Sequence, residues 1–191
     1  MNNLKNREIV LASASPRRHE LLKLLGIDFK VEISNADENI NICNCYDYAC
    51  KLAKIKSEAV AKVCSNNTII IGADTIVVKN DIIFGKPFDI GDARNMISQL
   101  QNASHSVITG ICIIDNLNNR YYQRYCKTIV NVQAINNDQI DNYLSKNEYQ
   151  DKAGAYGIQG AFAKYITSID GCYYNVMGLP INMLFNMLNA I

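Results

Sequence analysis

Thr68-Ile69-Ile70-Ile71 is an unbroken β-branched run. A continuous run of this kind makes a strand buried on both faces, and such a strand needs a layer on each side of its sheet. It therefore predicts a central strand in an α/β fold. The rest of the chain agrees, because segments of strand and helix character alternate along it. Ile9 to Ala12 is a second buried strand, running into Ser13-Ala14-Ser15-Pro16. Ser15 suits an N-cap and Pro16 the first helical position, so a helix follows. Leu21, Leu22, Leu24 and Leu25 give that helix its apolar face, and Gly26 stops it.

Alternation over 29–33 predicts another strand. Ala49, Leu52, Ala53, Ile55 and Ala59 have core spacing in a helix over 46–64. The strand at 68–71 is expected to end in Gly72-Ala73-Asp74-Thr75. Residues 76–78 and 82–84 flank Asn80-Asp81 as a hairpin. A helix is predicted over 89–100, and two long strands over 106–115 and 121–132. Asn136 or Asn137 caps a helix through Leu144. A strand over 161–169 and a helix over 175–191, with Pro180 near its start, complete the reading. No repeat or linker divides the 191 residues, so a single domain is expected.

Charge and cysteine content exclude several classes. The net charge of +1 lacks the basic excess of a duplex-binding protein. No apolar run approaches the roughly 20 residues of a membrane span, and Ile9 to Ala12 is too short for a signal-peptide core. Seven cysteines include no C-x-x-C pair, and Cys43 and Cys45 stand too close together for ordinary zinc-ligand spacing. Reduced thiols in a cytoplasmic protein are the expectation.

Four segments carry candidate chemistry. Ser13, Ser15, Arg17 and Arg18 cluster at a strand-to-helix turn. Helix N-termini favour phosphate, and arginine holds phosphate oxygens through paired hydrogen bonds. An ordinary capped helix with solvated arginines is the other reading. Asp74 closes a buried strand, where α/β sheets place catalytic acids and metal ligands; a simple turn-forming Asp is the alternative. Lys86, pinned in Gly85-Lys86-Pro87, suits phosphate neutralisation or is a surface turn residue. Glu38, Lys54 and Lys56 are nearby candidates, with Lys56 also readable as part of a solvated helix face. In residues 152–160, three glycines allow close backbone approach to a ligand, and Gln159 can donate and accept toward a base edge. His105 is read as a loop or strand-start residue rather than a base. There is no Walker loop, nucleophile elbow or H-E-x-x-H helix.

Together, L-A-S-A-S-P-R-R at 11–18, G-A-D-T at 72–75, G-K-P at 85–87, H-S-V-I-T-G at 105–110, D-K-A-G-A-Y-G-I-Q-G at 151–160 and G-L-P at 178–180 resemble the Maf proteins in order and spacing. That family was named for inhibition of septum formation and comprises nucleoside triphosphate pyrophosphatases. The resemblance implies an α/β fold with a long, bent mixed β-sheet flanked by helices. It also implies two lobes around a cleft, as in inosine triphosphate pyrophosphatases. Asp74 matches the proton acceptor, and Arg17, Thr75 and Gln159 match the specificity positions. Ser13, Arg18, Glu38, Lys56 and Lys86 match the phosphate and metal environment, with Asp74 and Glu38 as ligands of Mg²⁺ or Mn²⁺. The K-A-G-A-Y-G-I-Q-G segment is similar to the branch acting on dTTP and UTP; the branch acting on 7-methyl-GTP has an acidic residue at the position of Gln159. The stretch A-F-A-K-Y-I after Gly160 has fewer glycines than the family pattern. Hydrolysis of noncanonical nucleotides and non-catalytic regulation of septation are the competing readings. The expected partner is a nucleoside triphosphate, with a homodimer left open and neither nucleic acid nor membrane expected.

Overall fold

The computed structural model describes residues 4, 6–40 and 44–191, so the expectation for Cys43 lies outside the described residues. The strands are β1 (Glu8–Leu11), β2 (Lys30–Val31), β3 (Thr68–Lys79), β4 (Ile82–Phe84), β5 (Ala103–Asp115), β6 (Arg120–Val132) and β7 (Ile166–Asp170). The helices are α1 (Pro16–Lys23), α2 (Cys45–Ala61), α3 (Ile90–Leu100), α4 (Asn137–Leu144), α5 (Tyr173–Met177) and α6 (Ile181–Asn189). One sheet has the order β2-β1-β3-β5-β6-β7, with β4 paired to β3. β1 runs parallel to β2 and β3, whereas β4 and β7 pair antiparallel to their neighbours, so the sheet is mixed.

The chain forms two compact units. The first comprises Met1–Asp74, Thr109–Cys126 and Gly178–Ile191; the second comprises Thr75–Ile108 and Lys127–Met177. β3, β5 and β6 contribute residues to both.

In the first unit, Val10, Leu11, Ile69, Ile70 and Ile71 are buried, as the apolar runs require. Ser15 caps α1, with its Oγ accepting from Arg18 N at 3.5 Å, and Gly26 takes φ +65° just past the helix. Leu21 and Leu22 are buried, but Leu24 is exposed because it lies two positions past Leu22, on the other side of the helix. α2 lies very close to the sheet. A Cβ on Gly110 would stand 2.5 Å from the Ala49 carbonyl, and one on Gly72 would stand 2.5 Å from Ala53 O and 2.2 Å from Ser57 Oγ. The buried Ser57 hydroxyl shares its proton between Ala53 O at 3.0 Å and Cys112 O at 3.1 Å. Gly110→Ala is therefore expected to destabilise the protein by about 1–3 kcal/mol, because the obstacle is helix backbone that cannot rotate away. Urea unfolding would read this; a loss below about 0.5 kcal/mol would show that α2 moves aside freely.

The second unit has its own core, built from residues including Val77, Ile97, Leu100, Val107, Val130, Tyr143 and Phe162. Asn80 and Asp81 both have positive φ, +50° and +61°, which suits the two-residue hairpin joining β3 to β4. Asp89 caps α3, and Asn136 caps α4 in a reciprocal capping box with Gln139.

The departures have identifiable physical causes. The strand at 68–71 does not stop at Gly72. β3 runs on to Lys79, because β1 pairs with its first residues and β4 with its last. The predicted strand over 29–33 shrinks to β2. β7 starts only at Ile166, because Phe162 and Tyr165 turn into the core through a 3-10 turn at Ala163–Tyr165. The predicted terminal helix is two helices. Gly178 has φ +110° and Pro180 lacks an amide proton, so α5 ends at Met177 and α6 starts at Ile181. Among the described residues, no helix is long and apolar enough to cross a membrane.

Candidate active site

Asp74 sits inside β3 rather than at a strand end, with its carboxylate nearly buried. Facing it is Lys56 of α2. Lys56 Nζ lies 2.5 Å from Asp74 Oδ1 and 3.0 Å from Glu38 Oε2. The Lys56 and Asp74 side chains are only 13% and 12% exposed, whereas Glu38 is half exposed. The helix face that carries Lys56 is therefore not a solvated one. An ammonium out of water is costly unless it is paired, and here two carboxylates offset it. Lys54, two positions earlier, leaves the helix in another direction. It lies 3.7 Å over the Tyr121 ring and 3.6 Å from Glu58, and takes no part in the Asp74–Lys56–Glu38 chain.

The strand-to-helix turn adds a second group. Arg18 Nε donates to Gly178 O at 2.9 Å, and Arg18 Nη1 to Ser13 Oγ at 3.4 Å. Ser13 Oγ also accepts from Ser15 N at 3.2 Å. Burial pushes the Arg18 guanidinium below its ordinary value; Asp74 and Glu38 pull it back up, and Arg17 adds to the lowering. Arg18 thus shares one electrostatic neighbourhood with Asp74, Glu38 and Arg17. The helix end itself offers few free donors. Pro16 has no amide proton, and Ser15 Oγ takes that of Arg18, so an anion bound at this turn would rely on the arginine side chains.

The second unit holds the other three expected residues. Thr75 follows Asp74 in β3 and is half-buried. Lys86 is exposed in the loop between β4 and α3, and Gln159 is exposed in the turn at 158–160. Neither side chain has a hydrogen bond or ion pair among the described residues. Their loops are joined, because Gly154 N donates to Gly85 O at 2.9 Å.

Two carboxylates converging on one cation, close to arginines, are suited to phosphate chemistry. Hard divalent cations such as Mg²⁺ take one or two carboxylates and fill the rest of their shell with water and substrate phosphates. Asp74 and Glu38, already directed at a single positive centre, fit that requirement. Among the described residues, no group of three His, Cys, Asp or Glu side chains forms a site made from protein alone.

A family model described as Maf-like protein matches residues 8–191. The chain belongs to the Maf family. Its Maf relatives include a dTTP/UTP pyrophosphatase of Clostridium kluyveri, 43% identical over 187 residues, which are 96% of this chain and 97% of the relative. A dTTP/UTP pyrophosphatase of Desulforamulus reducens is 45% identical over 184 residues, 95% of each chain. Among solved structures, the Staphylococcus aureus Ham1 protein is similar with a TM-score of 0.55, covering 96% of this chain and 99% of its own. At 16% identity that likeness shows the fold alone.

The sequence reading missed three supports. The Gly178 carbonyl anchors Arg18 from the G-L-P segment. His105 stands near the start of β5, as the strand-start reading has it, but it is buried there, with its Nε2 2.6 Å from Tyr156 Oη. Glu148 Oε2 accepts from Ala161 N at 2.7 Å, just past Gln159. Only the buried neighbours of His105, apolar at Val107 and Ile108, hinted at its burial from sequence. The six described free cysteines stand apart from this chemistry, and burial pushes the Cys112 thiol up to about 12.

Proposed function

We propose that this Maf protein is a cytoplasmic nucleoside triphosphate pyrophosphatase. It hydrolyses dTTP and UTP to the nucleoside monophosphate and pyrophosphate, with Mg²⁺ or Mn²⁺. The observation that carries the reading is Lys56 held between Asp74 and Glu38 beside Arg18. The names of the relatives support it.

Asp74 orients the attacking water and accepts its proton, or would serve instead as a ligand of the divalent cation. The water oxygen bonds to the α-phosphorus, the bond from that phosphorus to the bridging oxygen breaks, and pyrophosphate departs. Lys56 fixes the Asp74 carboxylate, with its Nζ 2.5 Å from Oδ1. Arg17, Arg18 and Lys86 offset the charge of the triphosphate, and preorganised charge of this kind supplies much of the rate in phosphoryl transfer. A divalent ion held by Asp74 and Glu38 would polarise phosphate oxygens and offset the charge of the leaving group. Gln159 and Thr75 read the uracil or thymine edge. A mismatched base leaves the Gln159 amide unpaired, which costs about 1–3 kcal/mol per lost bond.

The test is pyrophosphate release from dTTP, UTP, CTP, dCTP, ITP, GTP and 7-methyl-GTP with either metal. Cleavage centred on dTTP and UTP is the expected result. Preference for ITP or 7-methyl-GTP would overturn the assignment of Gln159, and no release from folded protein would overturn the enzymatic reading.

A further inference from the structure

Gln159 stands exposed at the tip of a turn, and an exposed side chain there is normally free to move. A residue that discriminates bases by hydrogen bonds needs a fixed origin, because a displacement of about 1 Å misaligns the bond. The structure shows what supplies that origin. Glu148 lies between α4 and the 3-10 turn at Ala153–Ala155, and it reaches the backbone two residues after Gln159. Its Oε2 accepts from Ala161 N at 2.7 Å. The same oxygen occupies the space next to Gly160, where an added Cβ would stand 2.1 Å away. Gly160 N donates to Gly157 O at 3.3 Å, and Ala163 N donates to Gly160 O at 3.0 Å, which closes the turn on both sides.

The near end of the same loop is held independently. Tyr143 Oη donates to Ala155 O at 3.1 Å, and Tyr156 Oη meets His105 Nε2 at 2.6 Å. The loop is thus fixed before Gln159 by Tyr143 and His105, and after it by Glu148. A carboxylate suits the second anchor because it is acceptor-only when ionised and forms a charge-assisted bond with an amide.

We propose that Glu148 is the positioning residue that aims Gln159 at the pyrimidine base, setting the discrimination between uracil or thymine and cytosine without touching the nucleotide. This rests on the assignment of Gln159 to base reading. It follows that Glu148 affects selectivity while leaving the phosphate chemistry of the first unit intact.

The experiment measures kcat and KM for UTP and CTP in the wild type, Gln159→Ala, Glu148→Ala, Glu148→Gln and the Gln159→Ala/Glu148→Ala double variant, with thermal unfolding of each. Glu148→Ala is expected to lower the UTP:CTP ratio of kcat/KM about tenfold, through KM for UTP, with kcat within about twofold of wild type. Glu148→Gln, which keeps an acceptor oxygen, recovers most of the ratio and also serves if the alanine variant fails to fold. The double variant has the ratio of Gln159→Ala alone, because the two act as one unit. A wild-type ratio in Glu148→Ala, or in Glu148→Gln and the double variant a loss beyond that of Gln159→Ala, overturns the positioning role. An unchanged ratio in Gln159→Ala overturns base reading by Gln159, and the positioning role with it.

Discussion

Asp74→Asn is expected to lower kcat for UTP hydrolysis by about a thousandfold, within the range that loss of a positioned base or metal ligand produces. The substitution is nearly isosteric, and the structure shows why the fold should survive it. Lys56 keeps Glu38 at 3.0 Å, and an asparagine carbonyl oxygen can still accept from the ammonium that now lies 2.5 Å from Asp74 Oδ1. What disappears is the negative charge inside β3, and with it the proton acceptance or cation ligation proposed for Asp74. KM should change far less than kcat, since the residues proposed to offset the triphosphate charge are untouched. The check is steady-state pyrophosphate release beside an unfolding curve. A kcat within about fivefold of wild type in a folded variant would remove Asp74 from the chemistry and move attention to Glu38.

Glu38→Gln should fall between these limits. Glu38 is half exposed and shares Lys56 with Asp74, so its loss leaves the buried pair intact. A surface-exposed ion pair contributes about 1 kcal/mol or less to stability, so the unfolding midpoint should hardly move. A kcat loss well above that of Asp74→Asn would reverse the order of importance assigned to the two carboxylates.

Local signals were the legible part of the sequence. Ser15 and Asn136 cap helices because their short side chains reach an amide three residues on, a relation contained within one turn. Asn80-Asp81 makes its hairpin because both residues take the positive φ that a two-residue turn needs, again a relation within the turn itself. The pattern failed where tertiary pairing overrides it. Gly72-Ala73 looks like a strand end, yet β3 continues because partners hold both its halves. Phe162 and Tyr165 read as strand residues and instead turn inward, with Phe162 packed at 4.8–5.5 Å between ring centroids against Tyr143, Tyr156 and Tyr165.

The candidate site divides in the same way. Asp74 and the turn at Ser13 to Arg18 stood out from residue type and position. Lys56 looked like any helix lysine until its partners, 18 residues on and 18 residues back, were seen around it. Glu148 gave no sign, because its partner is a backbone amide whose chemistry is independent of side-chain identity.

Stability should fall by about 3 kcal/mol between pH 7.5 and pH 4 from His105 alone. The ring is almost completely buried in the second unit, and burial, with a smaller contribution from Lys79, pushes its pKa down to about 4 from the ordinary 6.5. Nε2 meets Tyr156 Oη, and Nδ1 has no partner among the described residues, so a charged ring would carry an N–H with no acceptor. The phenol cannot take up the charge either, since burial raises the Tyr156 pKa. The direction of the linkage follows. Between 6.5 and about 4 the unfolded chain binds a proton that the folded chain refuses, so the stabilisation is complete above 6.5 and is lost as pH falls through that window. Asp115 is distinct: burial raises its pKa, but hydrogen bonds from Arg7 and Asn118 prevail and hold it below the carboxylate range, so its loss comes at lower pH. His105→Gln separates the two. It should be less stable than wild type at pH 7.5, because the imidazole packing and part of the Tyr156 contact are lost, yet its urea midpoint should be nearly flat from pH 7.5 to 5, where the wild type already declines. Parallel declines in both proteins would assign the acid sensitivity to other groups and leave His105 a neutral core residue without a titration of consequence.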